Sequence, residues 1–105
     1  MPIYMTAQWQ CRNGAEETVT AALREFVAEV GQQESGTRVY TALQQANDPT
    51  RFMTSFVFED EAARQIHQTT EWVKRFTGVI YPLNEGDVLF TEYHLVASTE
   101  SQGGQ

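Results

Sequence analysis

Hydrophobic and polar residues alternate from Ile3 to Cys11, with Ile3, Met5, Ala7, Trp9 and Cys11 on one face and Tyr4, Thr6, Gln8 and Gln10 on the other. Successive strand side chains point to opposite faces, so this stretch predicts a strand with one dry face. Asn13-Gly14 breaks it, and Glu16 and Glu17 follow, where the positive end of a helix favours carboxylates. Val19, Ala22, Leu23, Phe26, Val27 and Val30 recur at three- and four-residue steps, predicting a helix from about Ala15 to Gln32 with Gly31 or Gly36 at its exit. Thr37 to Gln44 reads as a second strand, Val39, Thr41 and Leu43 opposite Arg38, Tyr40 and Ala42, with mixed polarity on both faces. Asn47-Asp48-Pro49 supplies turn chemistry before a third strand from Arg51 to Phe58, so a hairpin joins the two.

Asp60-Glu61 opens a second helical region, in which Ala63, Ile66 and His67 share a face, as do Trp72, Val73, Phe76 and Ile80. Thr69-Thr70 divides it, because a threonine can cap a new helix whose first turn carries Glu71. Pro82 and Asn84-Glu85-Gly86-Asp87 end the helical region. A fourth strand is predicted from Val88 to Ser98, with Val88, Phe90, Glu92, His94 and Val96 facing one way and Leu89, Thr91, Tyr93 and Leu95 the other.

The order β-α-β-β-α-β is that of ferredoxin-like α+β folds, with a four-stranded antiparallel sheet. It predicts a single domain over residues 1–98 and a mobile tail over 99–105, which has no apolar content and ends in Gly-Gly-Gln. Helices can cover only one face of the sheet, yet the third strand carries Met53 and Val57 on one side and Phe52, Phe56 and Phe58 on the other. The apolar face left over is most simply covered by a second copy, so a homodimer packed through the sheet is expected.

Composition narrows the partners. Seven basic residues against fourteen acidic ones give a charge of −7, which repels nucleic-acid phosphates and anionic lipid surfaces. No apolar run is long enough to span a bilayer, and the lone Cys11 has no partner for a disulfide, so the reducing cytoplasm is the expected compartment. His67 and His94 are the only histidines, neither they nor Cys11 have metal-ligand spacing, and no phosphate loop or dinucleotide fingerprint is present. No metal and no cofactor are expected.

Four segments together resemble the antibiotic biosynthesis monooxygenase (ABM) family over nearly all of residues 3 to 97. They are Gly14-Ala15-Glu16-Glu17, Glu34-Ser35-Gly36-Thr37-Arg38-Val39-Tyr40, Asn47-Asp48-Pro49-Thr50-Arg51-Phe52, and Phe58-Glu59-Asp60-Glu61-Ala62 followed by His67 and Trp72. The resemblance implies a dimeric α+β barrel with a pocket in each protomer between helices and sheet. It also implies a cofactor-independent monooxygenase that oxidises a quinol or a phenolic, polyketide-type aromatic with O2. Many family members carry a glutamate two residues before the aromatic matching Phe58, where this chain has Phe56. That departure keeps open an alternative, a non-catalytic ligand-binding or dimerisation module of the same fold. Haem degradation, known in one branch, is a third reading; that branch needs a Trp and a His on the second helical region, where this chain has Ile66 and Phe76.

Imidazole exchanges protons near neutrality, which makes His67 the candidate catalytic base for a phenolic proton; the plainer reading is a helix-end histidine bonded to a carbonyl. Tyr40, Phe52, Phe56, Ile66, Trp72, Phe76 and Phe90 are the candidate pocket wall, since sites for aromatic ligands are mostly apolar with a few placed polar groups. Core packing explains most of them equally well, Trp72 and Phe76 above all because of their helical spacing. Tyr40 differs in that a buried hydroxyl needs a partner, which a substrate oxygen, a water or a main-chain group could supply.

Overall fold

The structure, a computed structural model, describes residues 1–100. Four strands, β1 (Ile3–Gln10), β2 (Thr37–Gln44), β3 (Arg51–Phe58) and β4 (Leu89–Tyr93), form one sheet in the order β2-β3-β1-β4. Every neighbouring pair is antiparallel. Three helices, α1 (Glu16–Gln33), α2 (Glu61–Gln68) and α3 (Glu71–Ile80), join them, and a single 3-10 turn at Tyr81–Leu83 follows α3. The ferredoxin-like β-α-β-β-α-β order expected from the pattern is the observed one, with the second helical region in two pieces.

Local chemistry accounts for the boundaries. Asp60 caps α2 by accepting from the Ala63 N–H at 2.9 Å, and Thr70 caps α3 by accepting from Val73 at 3.2 Å. Each cap satisfies a backbone donor that a helix start leaves unpaired. Gly31 lies inside α1, which ends instead at Glu34, whose N–H still bonds Val30 O at 3.0 Å. In the β2–β3 connection, Asp48 accepts from the Thr50 N–H at 3.2 Å and the Thr50 hydroxyl at 2.6 Å. Gly14 and Gly86 adopt φ of +92° and +83°, a region that side-chain-bearing residues rarely enter, at the turns that leave β1 and approach β4.

The fourth strand stops at Tyr93, short of the expected Ser98. In the register with β1, Tyr93 lies opposite Tyr4, so His94 and Leu95 would face Ile3 and the N–H-less Pro2. The partner strand runs out there, and residues 94–98 carry no strand pairing. Of the expected tail, residues 101–105 lie outside the described residues.

One face of the sheet packs on the helices. Ala7, Trp9, Phe52, Phe56 and Phe58 meet Val19, Leu23, Phe26 and Val30 of α1 and Phe76 and Ile80 of α3 in one buried cluster. Phe26 stacks on Phe76 with ring centroids 4.5 Å apart and meets Tyr40 edge-on at 5.3 Å, tying α1 to α3 and to β2. Truncating a ring so placed costs about 3–5 kcal/mol. The opposite face is uncharged along its three central rows: Leu43, Met53, Gln8 and Leu89; Thr41, Ser55, Thr6 and Thr91; Val39, Val57, Tyr4 and Tyr93. Val39, Leu43, Leu89 and Tyr93 there are 48%, 52%, 60% and 48% exposed.

Candidate functional site

The site is organised by a buried carboxylate where α1 turns into β2. Glu34 is 7% exposed, and its Oε1 accepts the Thr37 hydroxyl at 2.7 Å. Gly36, two residues after Glu34, has no room for a side chain, because a Cβ built there would stand 2.6 Å from the Ala63 Cβ on α2. The Gly36 carbonyl also accepts the Glu59 N–H at 2.7 Å, pinning the strand-to-helix corner against the start of β2. This close approach brings His67, one helical turn after Ala63, to the carboxylate: Nδ1 lies 2.8 Å from Oε1 and 3.0 Å from Oε2. Trp72 of α3 donates its indole N–H to Oε2. One side chain thus joins the end of α1, the start of β2, α2 and α3.

The chemistry of this arrangement follows from donor counting. An ionised carboxylate only accepts, so the hydrogen on Nδ1 points at Glu34 and, in the neutral ring, Nε2 carries the lone pair. Nε2 has no hydrogen-bond partner among the described residues. The rings of Phe58, Tyr40, Phe26 and Phe56 surround the imidazole at centroid distances of 5.2, 5.7, 5.9 and 6.3 Å. An imidazole oriented by a carboxylate and walled by aromatic rings is an arrangement that can serve as a general base.

His67 also lines a cavity of ≈ 280 Å³ between the helices and the sheet. Of the residues expected on its wall, Tyr40, Phe56, Phe76 and Phe90 line it, joined by Trp9, Phe26, Thr54 and Phe58. Phe52, Ile66 and Trp72 do not. Phe52 is buried beside the cavity, stacked on Trp9 at 5.7 Å; Trp72 faces Glu34; Ile66 is 62% exposed. The expectation that Ile66 shares the buried face of α2 with His67 therefore fails. On this helix the histidine is inside and the isoleucine outside, because Glu34 offsets the cost of burying a polar ring.

Burial pushes the Tyr40 hydroxyl above the ordinary phenol range; the Thr54 hydroxyl beside it offsets part of that rise, and the negative charge of Glu34 adds to it. Tyr40 therefore stays a hydrogen-bond donor throughout the neutral range. At the far end Arg64 of α2 reaches Glu92 of β4 at 3.1 Å and also binds Glu61, holding α2 to the edge strand. Among the described residues no group of three or more His, Cys, Asp or Glu stands together as metal ligands, and no helix is long and apolar enough to cross a membrane.

Glu34 is the buried partner of His67 that the sequence pattern leaves unassigned. One signal was available: a carboxylate at the C-terminal end of a helix opposes the dipole, so a compensating set of donors is implied.

The sequence model of the antibiotic biosynthesis monooxygenase family matches residues 2–78. The chain belongs to the antibiotic biosynthesis monooxygenase family. Solved structures agree with this ABM assignment. A structure named antibiotic biosynthesis monooxygenase is 25% identical and covers 90% of this chain and 99% of its own, with a TM-score of 0.83. A Pseudomonas aeruginosa protein is 27% identical over 91% of this chain and 95% of its own, with a TM-score of 0.82. A Mycobacterium tuberculosis protein at 16% identity shares the fold with a TM-score of 0.84, covering 95% of this chain and 100% of its own. No curated protein sequence matches the chain.

Proposed function

We propose that this ABM-family chain is a cofactor-independent monooxygenase of a hydroxyaromatic substrate. The observation that carries the reading is His67 itself: Nδ1 is held by Glu34, while Nε2 is unpartnered on a ring that lines an aromatic cavity. A phenolic ligand in that cavity gives its proton to Nε2. Glu34 stabilises the resulting imidazolium, and Tyr40, still protonated, donates to the phenolate oxygen. The electron-rich anion then passes one electron to O2. The aryloxyl radical and superoxide combine at a ring carbon, and the hydroperoxide loses water to leave a carbonyl. For a phenol with an unsubstituted para position the balance is ArOH + O2 → quinone + H2O, with one oxygen atom entering the product.

Two copies pack sheet to sheet in this reading. The three uncharged rows of the outer face support it, since a chain of charge −7 can approach itself closely only through a neutral surface.

The catalytic claim is tested by O2 uptake with a panel of naphthols and hydroquinones, wild type against His67→Ala. Substrate-dependent uptake that falls at least about 100-fold in the variant is expected, the scale of a lost general base. Uptake unchanged in the variant overturns the role of His67. Tight binding without any product across the panel assigns the chain to the non-catalytic alternative.

A further inference from the structure

The cavity's volume and the distribution of charge around it define which aromatics it admits. An apolar cavity of about 150 Å³ holds one benzene ring, so ≈ 280 Å³ is room for two fused rings and not for three. Its wall is closed on the sheet side by Phe56 and Phe58 and on the helix side by Phe26 and Phe76, all at most 9% exposed, so it cannot widen without repacking the core. The mouth is bordered by the exposed Gln68, Tyr81 and Phe90, of which Phe90, 55% exposed, stands on the edge strand β4.

Charge is the second filter. None of the residues lining the cavity is an Asp, Glu, Lys or Arg. The carboxylate of Glu34 stands behind the cavity-lining His67, bonded to its Nδ1. Arg64 touches the cavity-lining Met5 at its sulfur, 3.7 Å away, but is already engaged by Glu61 and Glu92. A carboxylate or phosphate carried into this space would meet no Lys or Arg among the lining residues and would lie close to the negative charge of Glu34.

We infer that the substrate is an uncharged one- or two-ring hydroxyaromatic, and that three-ring polycycles and acidic aromatics are excluded. This deepens the reading of the same site, separating quinol-sized from polyketide-sized ligands. The uncharged phenol enters, and the anion is formed only inside, by transfer to His67.

Calorimetric titration of the wild-type protein under nitrogen tests the filter without turnover. Two probe pairs isolate the two terms: 1-naphthol against 1-hydroxyanthracene for size, and methyl 4-hydroxybenzoate against 4-hydroxybenzoate for charge. The second member of each pair is expected to bind on the order of 100-fold more weakly, the scale of overpacking and of an unpaired buried charge. Phe90→Ala, which opens the mouth without touching the core, is expected to narrow the gap of the size pair at least tenfold and leave the charge pair unchanged. Equal affinities within either pair, or no binding of 1-naphthol, overturn the filter. If the order of affinities holds while 1-naphthol supports no O2 uptake, the filter stands and the monooxygenase reading falls. Uptake with 1-hydroxyanthracene as fast as with 1-naphthol has the opposite meaning.

Discussion

Replacing Glu34 by Gln tests the centre of the argument, because it preserves shape and removes one chemical property. The native carboxylate accepts from His67 Nδ1 at 2.8 and 3.0 Å, from the Thr37 hydroxyl at 2.7 Å and from the Trp72 indole. A glutamine keeps one acceptor oxygen and turns an NH2 toward at least one of these donors. Hydrogen bonds to a charged group are worth about 1.5–3 kcal/mol each, and losing part of three gives an expected destabilisation of about 2–4 kcal/mol. In a domain of this size that lowers the melting temperature by about 10–20 °C. The catalytic effect is separate in origin. If the amide donates to Nδ1, the hydrogen moves to Nε2 and the base is lost, a wrong-tautomer defect that in other enzymes costs up to roughly 10⁴ in kcat. We expect kcat to fall about 10²–10⁴-fold with KM within a factor of about three. Trp72→Phe is the control: it removes one donor to Glu34 without touching His67, so stability should fall by about 1–2 kcal/mol while kcat stays near wild type. O2 uptake kinetics and thermal melts of the three proteins decide the matter. Glu34→Gln with wild-type kcat, or Trp72→Phe with as large a catalytic loss, would refute the orienting role of the carboxylate.

Three further outcomes are expected. Gly36→Ala places a methyl group 2.6 Å from the Ala63 Cβ, so α2 must retreat from β2; a loss of about 1–3 kcal/mol in urea melts, together with reduced activity, should follow, and neutral behaviour would show that the contact yields freely. The Tyr40 phenol is held above its ordinary value, so its contribution to stability is complete below pH ~10 and declines as the unfolded phenol begins to ionise above that pH. The urea midpoint should therefore fall less between pH 8 and 10.5 in Tyr40→Phe than in wild type, and an identical fall would contradict the burial of that hydroxyl. Ser55 sits at the centre of the uncharged sheet face, between Thr41 and Thr6. Sedimentation should show a wild-type dimer at micromolar concentration and a monomer for Ser55→Glu; a wild-type monomer would remove the proposed pairing.

Much of the fold could be read along the chain because it rests on short-range periodicity. The alternation in Ile3–Gln10, the apolar stripe of α1 and the two capping residues Asp60 and Thr70 each act within a few residues, and each element lies where those signals put it. The length of β4 was not readable in this way, since a strand ends where its partner does, and β1 begins at Ile3. The candidate site was only half visible. His67 stood out as an ionisable group beside an apolar stripe, whereas Glu34, thirty-three positions away, carried no local mark of being its partner.

By itself the sequence determined the order and type of the elements, the pairing of β2 with β3 through a turn of Asp48 and Pro49, and a helix on which His67 and Ile66 were both candidates for the inside. Only the tertiary structure decided between those two. With no local preference to separate adjacent residues at the margin of a helix face, the outcome depended on what the rest of the chain placed opposite. There the Gly36–Ala63 contact brings α2 close enough for the buried carboxylate of Glu34 to hold the imidazole. A burial that would be unfavourable for an isolated polar ring becomes favourable once a charged acceptor shares it, and Ile66 is left in solvent.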